Sequence, residues 1–240
     1  MRLEKRAADA LALLHRVSEQ HSPAALASSF GAEDMVLTDL IARNALAIDV
    51  FTLDTGRLPG ETYALIDRVR NHYGLPIEVY YPDARALERY VGANGLNAFY
   101  RSVELRQGCC AIRKTEPLAR ALAGKRAWIT GQRRSQSLTR SDVATAEFDA
   151  THGLHKFNPL AEWSNDEVWS YIRAQGVPYN ALHDRGYPSI GCAPCTRSIE
   201  PGEDIRAGRW WWEHPEHREC GLHRRPLDLA VRSETAGPST

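Results

Sequence analysis

Long hydrophobic runs are missing from this chain of 240 residues. No apolar stretch approaches the ~20 residues that would cross a bilayer as a helix. The opening Met-Arg-Leu-Glu-Lys-Arg is charged, and the apolar stretch after it is short and interrupted, unlike a signal peptide. The sequence therefore predicts a cytoplasmic protein with no membrane partner. An excess of either charge is also missing: 30 Lys and Arg balance 30 Asp and Glu. That balance argues against a general nucleic-acid binder. No internal repeat and no low-complexity segment stands out. A Gly-x-x-x-x-Gly-Lys loop is absent, which argues against nucleoside triphosphate hydrolysis of the P-loop kind. Cysteine is scarce, at five residues. A chain of this length buries enough surface to do without disulfide staples, so paired cysteines in a reducing compartment point to metal or redox chemistry.

What is present is an alternation of periods. Leu3, Ala7, Ala10, Leu11, Leu14 and Val17 fit an amphipathic helix over residues 3–20. Ala24 to Ser28 reads as a short buried strand that runs into Ser-Ser-Phe-Gly-Ala-Glu-Asp and a helix to about Ala42. Ala47 to Leu53 reads as a second strand ending in Asp-Thr-Gly-Arg, with a helix over about 60–72. Ile77–Tyr81 and Ala127–Thr130 read as two more strands. Strands alternating with helices predict an α/β domain with a parallel sheet covered on both faces. Beyond about Pro201 the pattern loosens into Arg, Gly, Trp and His, which reads as a tail or lid.

In open parallel sheets ligands bind at the carboxyl ends of strands. Two loops there are candidates for one site: Ser28, Ser29, Gly31 and Glu33 after the first strand, and Asp54, Thr55, Gly56 and Arg57 after the second. Asp54 is equally well an ordinary helix cap. Between Arg101 and Arg140 ten Lys and Arg face two acids, Glu104 and Glu116. This stretch includes Arg133-Arg134 and a cysteine pair, so a pocket for a small polyanion is favoured over a solvated face.

The cysteines fall into three groups: Cys109-Cys110, Cys192-Ala-Pro-Cys195 and the lone Cys220. Two sulfurs three residues apart reach a common metal, with Pro194 stiffening the turn. Adjacent cysteines seldom serve one tetrahedral zinc together, whereas a cluster offers several iron corners. An iron–sulfur cluster is thus favoured over zinc, with a redox disulfide third. Cys220 stands apart, free to react.

Four motifs carry a resemblance: Cys-Cys-Ala-Ile-Arg-Lys (109–114), Cys-Ala-Pro-Cys (192–195), Arg-Ala-Gly-Arg-Trp-Trp-Trp (206–212) and Glu-Cys-Gly-Leu-His (219–223). With the two strand-end loops, they make the chain similar, from about Ser28 to His223, to the assimilatory adenylyl-sulfate reductases. These form the cluster-containing branch of the phosphoadenylyl-sulfate reductase family. The resemblance implies an adenine-nucleotide α-hydrolase-like fold of the PP-loop type over 1–200 and a mobile lid or tail over 201–240 carrying the catalytic cysteine. It also implies a 4Fe–4S cluster on Cys109, Cys110, Cys192 and Cys195, and reduction of adenosine 5′-phosphosulfate to sulfite and AMP. Cys220 would be the nucleophile, reduced thioredoxin the electron donor, and Lys114, Arg206 and Arg209 the grip on the phosphosulfate. His223 is near enough in sequence to hold an anion or favour the thiolate, while Glu219 opposes it. Arg133 and Arg134 are weaker candidates for the nucleotide. Trp210 to Trp212 read as core anchors before they read as a docking surface. The extension from Arg224 to Thr240 is a departure whose composition suggests disorder.

Alternatives from other classes remain. A reductase of the 3′-phosphorylated nucleotide, or one using both substrates, is closest in chemistry. A tRNA-thiolating enzyme that adenylates would show Ser-Gly-Gly-x-Asp-Ser, which is absent. A non-enzymatic zinc or cluster module leaves the Cys220 motif and the arginines without a role. Homo-oligomerisation is left open by the sequence.

Overall fold

The computed structural model describes residues 2–136, 142–214 and 222. Its centre is a six-stranded sheet of order β3-β2-β1-β4-β6-β5. The strands are β1 (Ala24–Ala27), β2 (Ile48–Leu53), β3 (Ile77–Tyr80), β4 (Ala127–Ile129), β5 (Ala146–Asp149) and β6 (Leu154–Phe157). All neighbours pair in parallel except β5, which runs antiparallel to β6 at the edge. The four strands expected from sequence are present within a residue or two of their expected ends. β5 and β6 were not anticipated: at four residues each they are too short for their pattern to stand out.

Helices α1 (Arg2–Gln20), α2 (Ala32–Arg43), α3 (Gly60–Tyr73) and α7 (Asn165–Gln175) supply the larger core. There Leu14, Val17, Met35, Leu37, Ile41, Val69 and Ile172 close over Leu26, Val50 and Ile129 of the sheet. Asp39 of α2 is completely buried and accepts hydrogen bonds from Tyr73 (2.7 Å), Tyr171 (2.7 Å) and Arg43 (2.7 Å), which ties three helices together. A carboxylate so buried is tolerated because both of its oxygens have donors.

The second face is thinner. α4 (Ala84–Asn94) and α5 (Val103–Cys110) lead into a five-residue π-helical turn, Ala111–Thr115, and then α6 (Glu116–Leu122). Leu118, Ala121 and Leu122 pack on Ala25, Phe51 and Trp128. A third small core gathers Phe99, Trp210, Cys192 and Cys195. Residues after Pro201 are joined to this body: Arg197 N–H donates to the Gly208 carbonyl (3.0 Å) and Trp210 N–H to the Cys195 carbonyl (3.2 Å). Among the described residues no helix is long and apolar enough to cross a membrane.

Candidate active site

The chain leaves β1 to build β2 and β3 on one side and returns to place β4 on the other. β1 and β4 therefore flank a switch point, where side chains cannot fill the space between diverging loops. A cavity of about 230 Å³ opens there. Ser28, Ser29, Gly31 and Glu33 after β1, Thr55 after β2 and Gln132 after β4 line it, and Lys114, Arg206 and Arg209 supply its cations. Leu222 also reaches its wall, packed against the Trp128 and Leu118 core.

The first loop is held by Asp34, whose carboxylate accepts both the backbone N–H and the hydroxyl of Ser29, each at 2.7 Å. Phe30 sits at φ +59°, a left-handed conformation that costs a bulky side chain energy and is maintained here by its complete burial. Burial pushes the Asp34 carboxyl up to about 6, against the pull of the Ser29 hydrogen bonds. Gly31 has no steric need within the protein, since a side chain there would make only ordinary contacts. Gly131 does: a Cβ would lie 2.4 Å from Asp34 Oδ1 and 2.8 Å from Glu33 Cβ.

The second loop divides between two sites. Asp54 is buried and lies off the cavity; it accepts from Gly56 N–H (2.8 Å) and Tyr63 OH (2.8 Å), stabilising a turn in which Gly56 takes φ +67°. It caps no helix, as α3 begins after Pro59. Thr55 faces the cavity and places its hydroxyl 3.2 Å from Cys192 Sγ. Arg57 points to the cysteines, donating to the Leu96 carbonyl (2.9 Å) and Asn97 Oδ1 (2.9 Å).

A second, smaller cavity of about 20 Å³ is lined by all four grouped cysteines, Cys109, Cys110, Cys192 and Cys195. Arg57, Arg106, Arg113 and Lys114 surround it, and among the described residues no carboxylate lines its wall. Burial pushes the Cys195 thiol up to about 12, reinforced by Cys192, and also raises Cys109, where Arg113 pulls the other way. Among the described residues no three His, Cys, Asp or Glu side chains are grouped to hold a single metal ion. Lys114, Cys192 and Trp210 belong to both cavities and form the partition between them. The Trp210 indole N–H and Arg209 Nε lack a hydrogen-bond partner among the described residues.

Arg133 and Arg134 are placed elsewhere. Arg133 is buried and bound to Glu33 (2.6 Å), with Ser135 also on its guanidinium (2.7 Å). Arg134 pairs with Glu162 (3.0 Å) and the Val143 carbonyl (2.9 Å). Neither lines the large cavity, so the basic segment meets that cavity through Lys114, and three of its ten cations, Arg106, Arg113 and Lys114, line the sulfur cavity. Cys220 and His223 lie outside the described residues.

Several wall residues had no signal in the sequence. His183 comes from an irregular segment, stacks on Trp169 at 5.0 Å, and is shifted below the usual imidazole range by burial. Asp34 was visible only as the end of the first loop, and Gly131 as a glycine closing a strand. Gly191 was hidden as well: a Cβ there would stand 2.3 Å from the Arg209 guanidinium, so its bareness admits that arginine.

The chain is similar to known proteins over nearly its whole length. The family model described as the phosphoadenosine phosphosulfate reductase domain matches residues 23–198. The adenosine 5′-phosphosulfate reductase of Allochromatium vinosum is 56% identical over 237 residues, covering 99% of this chain and 92% of that protein. The crystal structure of phosphoadenylyl-sulfate reductase from Candida auris, a phosphate complex, is 27% identical with a TM-score of 0.68, covering 80% of this chain and 90% of that one. The FMN adenylyltransferase of Candida glabrata shares the fold alone, at 14% identity and a TM-score of 0.56, over 98% of this chain and 83% of that one.

Proposed function

Since the chain belongs to the phosphoadenosine phosphosulfate reductase family, we propose that it reduces adenosine 5′-phosphosulfate to sulfite and AMP in assimilatory sulfate reduction, with reduced thioredoxin as donor. The observation that carries this reading is the shared wall of the two cavities. Lys114 stands where an anion in the large cavity meets a sulfur centre in the small one.

In this reading the nucleoside lies across the ends of β1, β2 and β4, and the phosphosulfate lies against Lys114, Arg206 and Arg209. These cations lower the repulsion between two anions, the substrate and an attacking thiolate. Leu222, two residues beyond Cys220, is on the cavity wall, which supports delivery of that thiol to the substrate from the 201–240 tail. Cys220 thiolate attacks the sulfate sulfur, the sulfur–oxygen bond to phosphate breaks, and AMP leaves with that electron pair. The product is an S-sulfonated Cys220. A thioredoxin thiolate then attacks the Cys220 sulfur and expels sulfite, and its second thiol frees Cys220 by closing the thioredoxin disulfide. The two electrons come from the dithiol. His223, three residues after the nucleophile in sequence, serves to hold an anion or favour the thiolate.

The small cavity suits a 4Fe–4S cluster. Its donors are all sulfur, and although Glu213 neutralises Arg106, the remaining Arg57, Arg113 and Lys114 leave the surroundings positive, which suits an anionic centre. Metal binding would remove the protons that burial otherwise keeps on Cys109 and Cys195. Such a centre supplies fixed charge and shape beside the substrate. Arg106, Arg113 and Lys114 would orient it.

Preference for the nucleotide without a 3′-phosphate is supported by the diversion of Arg133 and Arg134 to carboxylates. The test is intact mass with peptide mapping after anaerobic mixing with adenosine 5′-phosphosulfate and no thioredoxin. One SO₃ group on Cys220, released as sulfite by reduced thioredoxin, is the expected result. No adduct on a cluster-loaded protein overturns the mechanism. An adduct only from the 3′-phosphorylated nucleotide reassigns the substrate.

A further inference from the structure

Arg106 and Glu213 form a pair that the reaction scheme does not use. Arg106 lies on α5 one turn before Cys110, and its side chain is 1% exposed; that of Glu213 is 3% exposed. The contact is two-pronged, Nε to Oε1 at 2.9 Å and Nη2 to Oε2 at 2.7 Å. Burying a charge pair is expensive, and a well-packed apolar pair is often at least as stable. Stability alone is therefore a weak reason for this arrangement.

The connections of the pair suggest another reason. The Arg106 side chain also hydrogen-bonds Cys110 and lies 5.1 Å from the centre of the Trp210 ring. The same indole has the Arg209 guanidinium 4.6 Å away, so two arginines meet on one ring. Trp210 holds φ +43°, a left-handed conformation unfavourable for a bulky residue. Glu213 N–H closes the turn onto the Trp210 carbonyl at 2.9 Å. Arg209 is steered in turn by the bare Gly191 and by the Ile190 carbonyl at 3.1 Å. A contiguous path thus runs from the cysteine helix through Arg106 and Trp210 to an arginine on the large cavity.

We propose that Arg106 and Glu213 are positioning residues for the anion grip: together they fix the turn at Trp210 so that Arg209 points at the phosphosulfate, and they register that turn against the helix of Cys109 and Cys110. This rests on the reading of the large cavity as the phosphosulfate site. Neither residue touches the substrate. The pair's charge orients Arg106, and Arg106 orients the ring against which Arg209 stacks.

The test is binding to cluster-loaded protein carrying Cys220→Ser, which leaves the substrate intact, with adenosine 5′-phosphosulfate and adenosine as the two ligands. Glu213→Gln is expected to weaken the phosphosulfate nucleotide about tenfold, the scale of one charge-assisted contact. It should leave adenosine affinity and the visible absorption of the sulfur centre unchanged. Combined with Arg209→Met, its effect should be less than additive, because both act through the same contact. Arg106→Met with Glu213→Leu separates positioning from packing. The apolar pair should recover thermal stability but not phosphosulfate affinity.

Recovery of both by the apolar pair, equal loss for the two ligands, or strict additivity with Arg209→Met would each overturn the proposal. Failure of the parent protein to bind adenosine 5′-phosphosulfate at all would remove the reading of the cavity and this proposal with it. Binding by the parent that Glu213→Gln leaves unchanged would remove this proposal alone.

Discussion

The two cavities differ in the origin of their walls and in their electrostatics. The small one draws its sulfurs from two short stretches, residues 109–110 and 192–195, and has four cations around them, of which Arg106 is paired with Glu213. The large one is assembled from the ends of β1, β2 and β4, the irregular segment from His183 to Cys192, and Arg206 to Trp210. It opposes three cations with Glu33 and Asp34. A site built from adjacent residues around one charge type suits a permanent anionic centre. A site assembled from distant loops with both charges suits a ligand that must enter and leave. Lys114, held in common, belongs to both purposes.

The largest effects should come from breaking the chemistry that links the cavities. Cys220→Ala should abolish the SO₃ adduct and lower turnover by about 10⁴-fold or more, as loss of a nucleophile does elsewhere. Substrate affinity should stay near that of the parent, checked by single-turnover assay and calorimetry. Next is Arg209→Ala, which removes a cation that lines the large cavity and not the small one. It should lower kcat/KM by roughly 10²–10³-fold, the usual cost of one oxyanion donor. The small cavity should keep its metal content, measured by iron and sulfide analysis. If Arg209→Ala instead empties the sulfur site, the division between the two regions is wrong.

Gly131→Ala tests the large cavity's framework. The added methyl would collide with the Asp34 carboxylate, and overpacking of this kind costs about 1–3 kcal/mol. Urea unfolding should show the loss, together with weaker nucleotide binding. The smallest effect concerns Asp34, whose carboxyl is raised from 3.8 to about 6 in the folded protein. The folded state thus holds this proton more tightly than the unfolded chain does. The associated stability is complete below pH 4 and is lost as pH rises through 6, by no more than about 3 kcal/mol. Asp34→Asn should flatten that part of the stability profile. A profile between pH 4 and 7 that is unchanged by the substitution would contradict the buried carboxyl.

Legibility in the sequence follows the same division. That the four cysteines meet at one cavity was readable because two close-set pairs suggest a shared centre. β1 to β4 were readable because buried parallel strands are short apolar runs between turn residues. The bearings of Arg133, Arg134 and Asp54 were not readable: a charged residue in sequence does not reveal whether a carboxylate waits for it in space. Glu33 is 100 positions from Arg133 along the chain and Glu162 is 28 from Arg134, and only the fold joins them. β5 and β6 escaped because each is only four residues long, too short for the alternation of Ala146, Glu147, Phe148 and Asp149 to stand out, and β5 keeps its apolar residues exposed. His183 escaped because its partners are a cavity and a distant tryptophan.

The π-helical turn at Ala111–Thr115 has one more consequence. It is a surplus residue in a helical count: without it, the apolar positions of α6 would fall about 100° further round the axis, the angular step of one residue at 3.6 per turn. Leu118 and Leu122 could then meet the sheet only if Cys109 and Cys110 turned away from Cys192 and Cys195. The extra residue lets one continuous rod face two ways, apolar toward the sheet at one end and sulfur toward its partners at the other. Deleting Ala111 or Ile112 should therefore be far worse than substituting it. The deletion would force the molecule to choose between its packing and its chemistry.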